Sequence, residues 1–328
     1  MARISRRTLA AALPLAALPL VAIAGRARAQ AWPDGPVRIV VPFAPGGSTD
    51  AVARLVSPGL QQRLGVPVVV ENRSGAAGSI GTRIVAQAKP DGQTFLLTFD
   101  SHPLIPVLVA APGFDVMTDF AGIMLIGGAP YVVACRPDNP YADLAALVAA
   151  AKAKGGLGFG STGNGTLGHL VMAQLVARTG APLNHVPYRS GGLAVNDAVA
   201  GHVAAMIGSA ALIAPHVAGG SLRPLAQFGP TRLPGLSTVP TATENGFPGL
   251  EAEAWWGVFA PKGTPAAVVA RMNAALAETL REARVSETMT GPNQARLVLS
   301  SPAELDAFVK QQAETWIPVA RANNVQPD

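Results

Sequence analysis

VRIVVPFAPGGSTD, residues 37–50, is the stretch on which the fold turns. Val37, Ile39, Val40 and Val41 read as a buried strand, Pro42, Pro45, Gly46 and Gly47 as a turn, and Ser48, Thr49 and Asp50 as a helix start. A strand that runs through a glycine turn into a helix leaves several backbone N–H groups without intrahelical partners. They lie where the helix dipole is positive, a place suited to an anion. Many α/β proteins begin this way for packing alone, so the stretch gains meaning only from a partner elsewhere in the chain.

Residues 157–169, LGFGSTGNGTLGH, are that partner. They repeat the design: a short strand, glycines at 160, 163 and 165, the hydroxyls of Ser161, Thr162 and Thr166, then a helix. Neither loop contains Lys or Arg, so N–H groups, hydroxyls, the Asn164 amide and helix dipoles would have to neutralise a bound charge. Hydrogen bonds to a charged group contribute roughly 1.5–3 kcal/mol each, so four or five give about 6–15 kcal/mol before association costs. Micromolar affinity needs about 8 kcal/mol.

Upstream, residues 1–29 have the pattern of an export signal. Arg3, Arg6 and Arg7 precede an apolar run from Leu9 to Ala24, and Ala27-Arg28-Ala29 supplies a cleavage pattern before Gln30. Ser5-Arg6-Arg7-Thr8-Leu9 resembles a twin-arginine signal, with general secretory export as the alternative. Pro14 and Pro19 interrupt a run too short for a permanent span. The expected destination is the periplasm, with cleavage after Ala29. The 328-residue chain holds 25 Lys and Arg against 20 Asp and Glu, and five of those arginines fall in residues 1–29 with no acid, leaving 20 against 20. The charge excess thus belongs to the signal, and nothing points to nucleic acid. Cys135 is the sole cysteine, read as a small buried residue, and the five histidines lack ligand-like spacing, so neither disulfide, metal nor cofactor is expected.

About 300 residues remain, 49% of the chain is hydrophobic, and strand and helix patterns alternate. Strands are expected at 66–70, 94–99, 131–134, 158–160, 184–187, 203–207, 222–228 and 254–259. Helices are expected after residue 48, with a kink or break at Pro58-Gly59, and around Ile80–Ala88, Asp143–Lys152 and Leu167–Arg178. One more follows Thr264 as cap with Pro265 at its first position, and a last opens with a capping box at Ser301-Pro302-Ala303-Glu304. The fold class is α/β, two lobes of mostly parallel sheet covered by helices. Loops at the carboxyl ends of two such sheets face one cleft, where open α/β folds bind ligands.

Two other chemistries fit less well. Gly158-Phe159-Gly160-Ser161-Thr162-Gly163 matches G-x-G-x-x-G, but no acid ends the next strand to hold a ribose. Ser161 is not in a G-x-S-x-G elbow, and Asp100-Ser101-His102, being adjacent, cannot form a relay among themselves. A hydrolase or lyase using Ser161 or Ser101 with a histidine stays as the alternative to a non-catalytic binder.

WPDGPVRIVVPFAPGGSTDAVARLV, VPVVVENRSGAAGSIGTRIVAQAKPDGQTFLL, GSTGNGTLGHL, HVPYRSGGLAVNDAVAGHV and WWGVFAPKGTP closely resemble the tripartite tricarboxylate transporter substrate-binding proteins, the Bug-type receptors. The resemblance spans essentially the whole mature chain. It implies a type II periplasmic-binding-protein fold, with one lobe of residues 30–130 plus 256–328 and the other of 131–255. The implied protein is a monomer that captures a small organic carboxylate or amino-acid-like ligand, in many members for a membrane permease. By position, Phe43, Ala44, Pro45, Gly46, Gly47, Ser48, Thr49 and Asp50 correspond to one ligand loop, and Ser161, Thr162, Gly163, Asn164, Gly165 and Thr166 to the other. Tyr188, Arg189 and Ser190 correspond to a further cleft edge, with Ser209 a weaker candidate. Asp50 has a simpler reading too, because an acid in a first helical turn stabilises that helix. Phe99-Asp100-Ser101-His102 departs from the small neutral stretch common in relatives. A cleft-facing Asp100 would disfavour a plain dicarboxylate and favour an amine; a solvent-facing one would say nothing about selectivity.

Overall fold

The computed structural model describes residues 32–325, and the expected export signal lies outside them. From the amino end, β1 (Val37–Val41), α1 (Ser48–Leu64), β2 (Val68–Asn72), α2 (Ser79–Ala86), β3 (Thr94–Phe99) and the one-turn α3 (Ile105–Leu108) follow one another. The long β4 (Phe120–Cys135) leads into α4 (Leu144–Lys154), β5 (Leu157–Ser161), α5 (Leu167–Thr179) and β6 (Leu183–Pro187). Next come α6 (Gly191–Ala200), β7 (Ala205–Ser209), α7 (Ala210–Ala218) and β8 (Arg223–Gln227). The chain returns through β9 (Glu253–Pro261), α8 (Ala266–Arg281), α9 (Ala283–Thr290), β10 (Arg296–Leu297) and α10 (Pro302–Ala322).

The strands form one mixed sheet in the order β2-β1-β3-β9-β4-β7-β5-β6. β1 lies parallel between β2 and β3, and β5 parallel between β6 and β7. β4 joins the two parallel sets: residues 120–130 pair antiparallel with β9, and residues 131–135 with β7 and β8. All six residues of β3 are buried, as a central strand covered on both faces requires.

Only the second half of β4 was legible as a strand, because Gly122, Gly127, Gly128 and Pro130 punctuate the first half like a loop. Their purpose is close approach: a Cβ on Gly127 would lie 2.1 Å from the Arg296 carbonyl oxygen, and one on Gly128 2.6 Å from that of Ala254. Register shifts accompany them, between Gly122 and Met124 and between Leu125 and Gly127.

Two local expectations are corrected. α1 runs unbroken through Pro58, whose missing N–H would strand the Arg54 carbonyl; the Ser57 hydroxyl donates to that carbonyl at 3.3 Å instead. Gly59 lets α1 lie against α8, since its Cβ would meet Thr279 Cγ2 at 2.6 Å. Thr264 does not cap α8: its hydroxyl donates to Pro261 O at 2.8 Å and Pro265 takes the N-cap position. The helices α6 and α7 carry little periodic signal. α6 opens on two glycines, and α7 is apolar on nearly every side with Pro215 inside. The capping box at Ser301 and Glu304 forms with both of its hydrogen bonds.

Candidate functional site

The turn between β1 and α1 is held by Asp50. Its carboxylate, 4% exposed, accepts hydrogen bonds from Gly46 N at 3.1 Å, Arg54 Nε at 3.0 Å and Asn72 Nδ2 at 2.9 Å, while Asn72 Nδ2 also donates to Phe43 O at 3.1 Å. Burial pushes this carboxyl up, but the bonds from Arg54, Asn72 and Gly46 outweigh it and hold it below the usual range. Asp50 therefore folds the loop over itself, and its oxygens are engaged within the protein. Gly46 sits at φ +86, which suits glycine, and Gly47 is the N-cap of α1 with no side-chain cap. The first-turn N–H groups of α1 are left without intrahelical acceptors.

The turn before α5 looks alike in sequence but is satisfied internally. Thr166 Oγ1 caps the helix by accepting from His169 N at 3.4 Å and donates to Gly163 O at 3.0 Å. Leu167 N points at Asp100 Oδ1 at 3.5 Å, and Gly165 N donates to His169 Nδ1 at 3.1 Å. Ser161 is wholly buried, with its hydroxyl donating to Gly163 O at 3.0 Å and lying 2.6 Å from His185 Nε2. The His185 ring stacks on His169 at 3.6 Å, and burial together with that neighbour lowers His185 to about 3. Ser161 and His185 line neither of the two cavities described below, so this hydroxyl is not presented where a substrate would meet a nucleophile.

The second uncapped helix start belongs to α6. Ser190 is its N-cap but makes no capping bond, is 2% exposed, and its Oγ has no protein partner. Ser190 and Gly191 share a small recess with Gly47, Ser48, Thr49, Phe43, Phe99 and Thr162, whose buried Oγ1 is also unpartnered. Two helix starts thus converge on one spot, and they are those of α1 and α6. In the first turn of α5, by contrast, Leu167 N and His169 N already meet Asp100 and Thr166.

This recess adjoins a cavity of about 550 Å³ and shares Phe43 and Thr162 with it. Of the expected residues, Phe43, Ser101, Thr162, Gly163, Asn164, Thr166, Tyr188 and Arg189 line the larger cavity. Ser101 Oγ is buried and unpartnered there. Tyr188 is fixed by its hydroxyl, which donates to Asp197 Oδ2 at 2.7 Å, and burial, then Asp197, push it up to about 12. Arg189 is the only charged side chain among the described lining residues. Pro45 and Gly46 lie on the exposed side of the loop, and Ala44 N donates to Arg189 O at 3.3 Å. Gly165 packs under Leu108, and Ser209 is buried as the N-cap of α7; neither lines the two cavities.

Asp100 faces neither the cavity nor solvent. It is fully buried, accepts from Tyr131 Oη at 2.6 Å, and burial pushes its carboxyl up to about 8. Buried away from both cavities, it offers no cleft-facing carboxylate to select an amine. His102 beside it is a packed ring between Phe120 and Phe259, lowered to about 3 by burial, with both nitrogens unpartnered.

Sequence reasoning missed the wall formed by Pro42, Ser74, Gly75, Ala76, Ala77, Gly78 and Ile80. The signal was present in Arg73-Ser74-Gly75-Ala76-Ala77-Gly78-Ser79, a second glycine turn into a helix. Four consecutive residues there have positive φ, from Gly75 at 131 to Gly78 at 88, with Ala76 at 45 and Ala77 at 51. Non-glycine residues in that region mark a backbone whose shape is imposed by its surroundings. Among the described residues no group of three His, Cys, Asp or Glu side chains could hold a metal, and no helix is long and apolar enough to cross a membrane.

Residues 52–325 match the model of the tripartite tricarboxylate transporter family receptor. Protein BugT of Bordetella pertussis is 36% identical over 302 residues, covering 91% of this chain and 92% of that protein. The structure of R. palustris Rpa4515 with adipate is 31% identical with a TM-score of 0.86, covering 90% of this chain and all of that one. MatC from Rhodopseudomonas palustris, with bound malate, is 30% identical with a TM-score of 0.83 over 88% of this chain and 99% of that one. Sequence and fold both match along nearly the whole chain, and the chain belongs to the tripartite tricarboxylate transporter receptor family, extracytoplasmic solute-binding proteins for carboxylates.

Proposed function

We propose that this receptor grips one carboxylate of its ligand between the starts of α1 and α6 and lays the rest of the molecule in the adjoining cavity. The observation that carries this is the convergence of two uncapped helix N-termini on a recess that also holds the unpartnered hydroxyls of Thr162 and Ser190. Buried hydroxyls without partners are destabilising unless something meets them, and a carboxylate is an acceptor for both. Pro42, Phe43, Ala76, Ala77, Ile80 and Tyr188 suit an apolar middle, and among the described residues no acid lines the cavity to receive an ammonium group. An organic acid without an amine is therefore the better ligand than an amino acid.

The lobes in this reading are residues 30–130 plus 256–328 and residues 131–255, joined where β4 and β9 cross from one parallel set toward the other. The export signal of residues 1–29, cleavage after Ala29, a monomeric state and delivery to a membrane permease belong to the same proposal. The test is calorimetric titration of the purified protein with adipate, malate, citrate, benzoate and glutamate. Saturable binding of an acid with no turnover of it is the expected outcome. Release of a product, or binding confined to glutamate, would reject the assignment.

A further inference from the structure

The turn of β1–α1 and the start of α6 belong to different parallel sets of the sheet, yet they meet backbone to backbone. Ala44 N donates to Arg189 O at 3.3 Å. A Cβ on Gly47 would lie 3.4 Å from Gly191 N, and a Cβ on Gly192 would lie 2.9 Å from Gly46 O and 3.2 Å from Gly46 C. Main chains come this close only where no side chain intervenes, and here glycines stand on both sides of the contact.

We infer that Gly192 is the positioning residue of a main-chain latch that holds the two lobes shut over the ligand, an inference that rests on the receptor reading above. Gly192 lines neither cavity. It lies in the first turn of α6, where alanine is the better helix former, so local helix stability gives no reason for glycine. What demands glycine is the opposing carbonyl. Gly46 cannot retreat, because its N–H is held by Asp50, and the methyl of an alanine cannot rotate away from a backbone atom. Only separation of the two segments relieves the contact. A receptor whose closed form is less populated binds more weakly by that fraction, with the loss falling on ligand release rather than capture.

The test compares the parent protein with Gly192→Ala, using whichever of adipate, malate, citrate or benzoate the parent binds. The variant is expected to keep or raise its ligand-free Tm while its Kd rises at least about tenfold, the increase residing in koff. Leu193→Ala, at the exposed neighbouring position, should leave Kd unchanged. An independent measurement on the parent is amide hydrogen exchange at Ala44, expected to slow when the bound acid is added. Equal Kd and koff in Gly192→Ala, or Ala44 exchange indifferent to the acid, overturns the latch while leaving the receptor reading intact. A parent protein that binds none of the four acids overturns the receptor reading, and the latch with it. Should Gly192→Ala fail to fold, the Ala44 exchange decides alone.

Discussion

At the scale of single residues, three titratable groups, Asp100 and His102 fully buried and His185 half-buried, shape how stability varies with pH. His102 and His185 are lowered from 6.5 to about 3, and Asp100 is raised from 3.8 to about 8, each chiefly by burial. For the histidines, the unfolded chain takes up protons below 6.5 that the folded chain refuses, so their contribution is full above 6.5 and lost as pH falls toward 3. For Asp100 the folded chain keeps a proton that the unfolded chain loses, so its contribution is full below 3.8 and lost as pH rises through 8. Between 3.8 and 6.5 two losses oppose one gain, and stability falls with acidification; from 6.5 to 8 Asp100 alone makes it fall with alkalinisation. Urea midpoints should therefore peak near pH 6.5, and Asp100→Asn should remove the alkaline limb while leaving ligand selectivity as it was. Asp50 acts with the other sign from Asp100: its lowered carboxyl stabilises above 3.8 and that contribution is lost as pH falls through its folded value. Asp50→Ala removes the acceptor for Gly46, Arg54 and Asn72 and should destabilise by about 2–3 kcal/mol in urea unfolding, with weaker binding because the loop is freed.

At the scale of elements, function separates from stability at the helix starts. Ser190→Ala removes a buried hydroxyl that has no protein partner, so the ligand-free protein should unfold at the same or a slightly higher temperature. The same substitution deletes a hydrogen bond to a charged group in the bound state, worth about 1.5–3 kcal/mol, and should weaken binding roughly 10- to 150-fold by calorimetry. Thr162→Val should behave alike for the same reason. Thr166→Val is the contrasting case: its hydroxyl caps α5, so substitution should lower Tm as well as affinity. A matched loss of stability in Ser190→Ala would mean that its hydroxyl serves the fold and not the ligand.

At the scale of the whole molecule, an acid that bridges the two parallel sets of strands stabilises the folded chain by mass action. At a concentration 100-fold above Kd the gain is about 2.7 kcal/mol, or roughly 5 °C in Tm for a chain of this size, rising with the logarithm of concentration. A Tm insensitive to every acid tested would argue against the proposed grip. Much of this organisation was legible in the chain itself. Apolar runs at β1, β2 and β3 announced the first parallel set, glycine and hydroxyl residues after β1 announced an uncapped helix, and Ser301 with Glu304 announced α10. Those signals are local, because they arise from periodicity and from backbone groups a few residues apart. The glycines of β4 were not legible as strand, since what they accommodate is the Arg296 and Ala254 carbonyls far away in sequence. Nor could the chain show which helix start remained available: the turns at Gly46 and Gly163 look alike until Asp100, His169 and Thr166 fill the needs of one and α6 arrives opposite the other. Composition and pattern determined that this chain would carry glycine-rich helix starts with backbone donors to spare. Tertiary packing decided which two of them share one recess, because a hydrogen-bond donor is free only if nothing distant in sequence has folded back to take it.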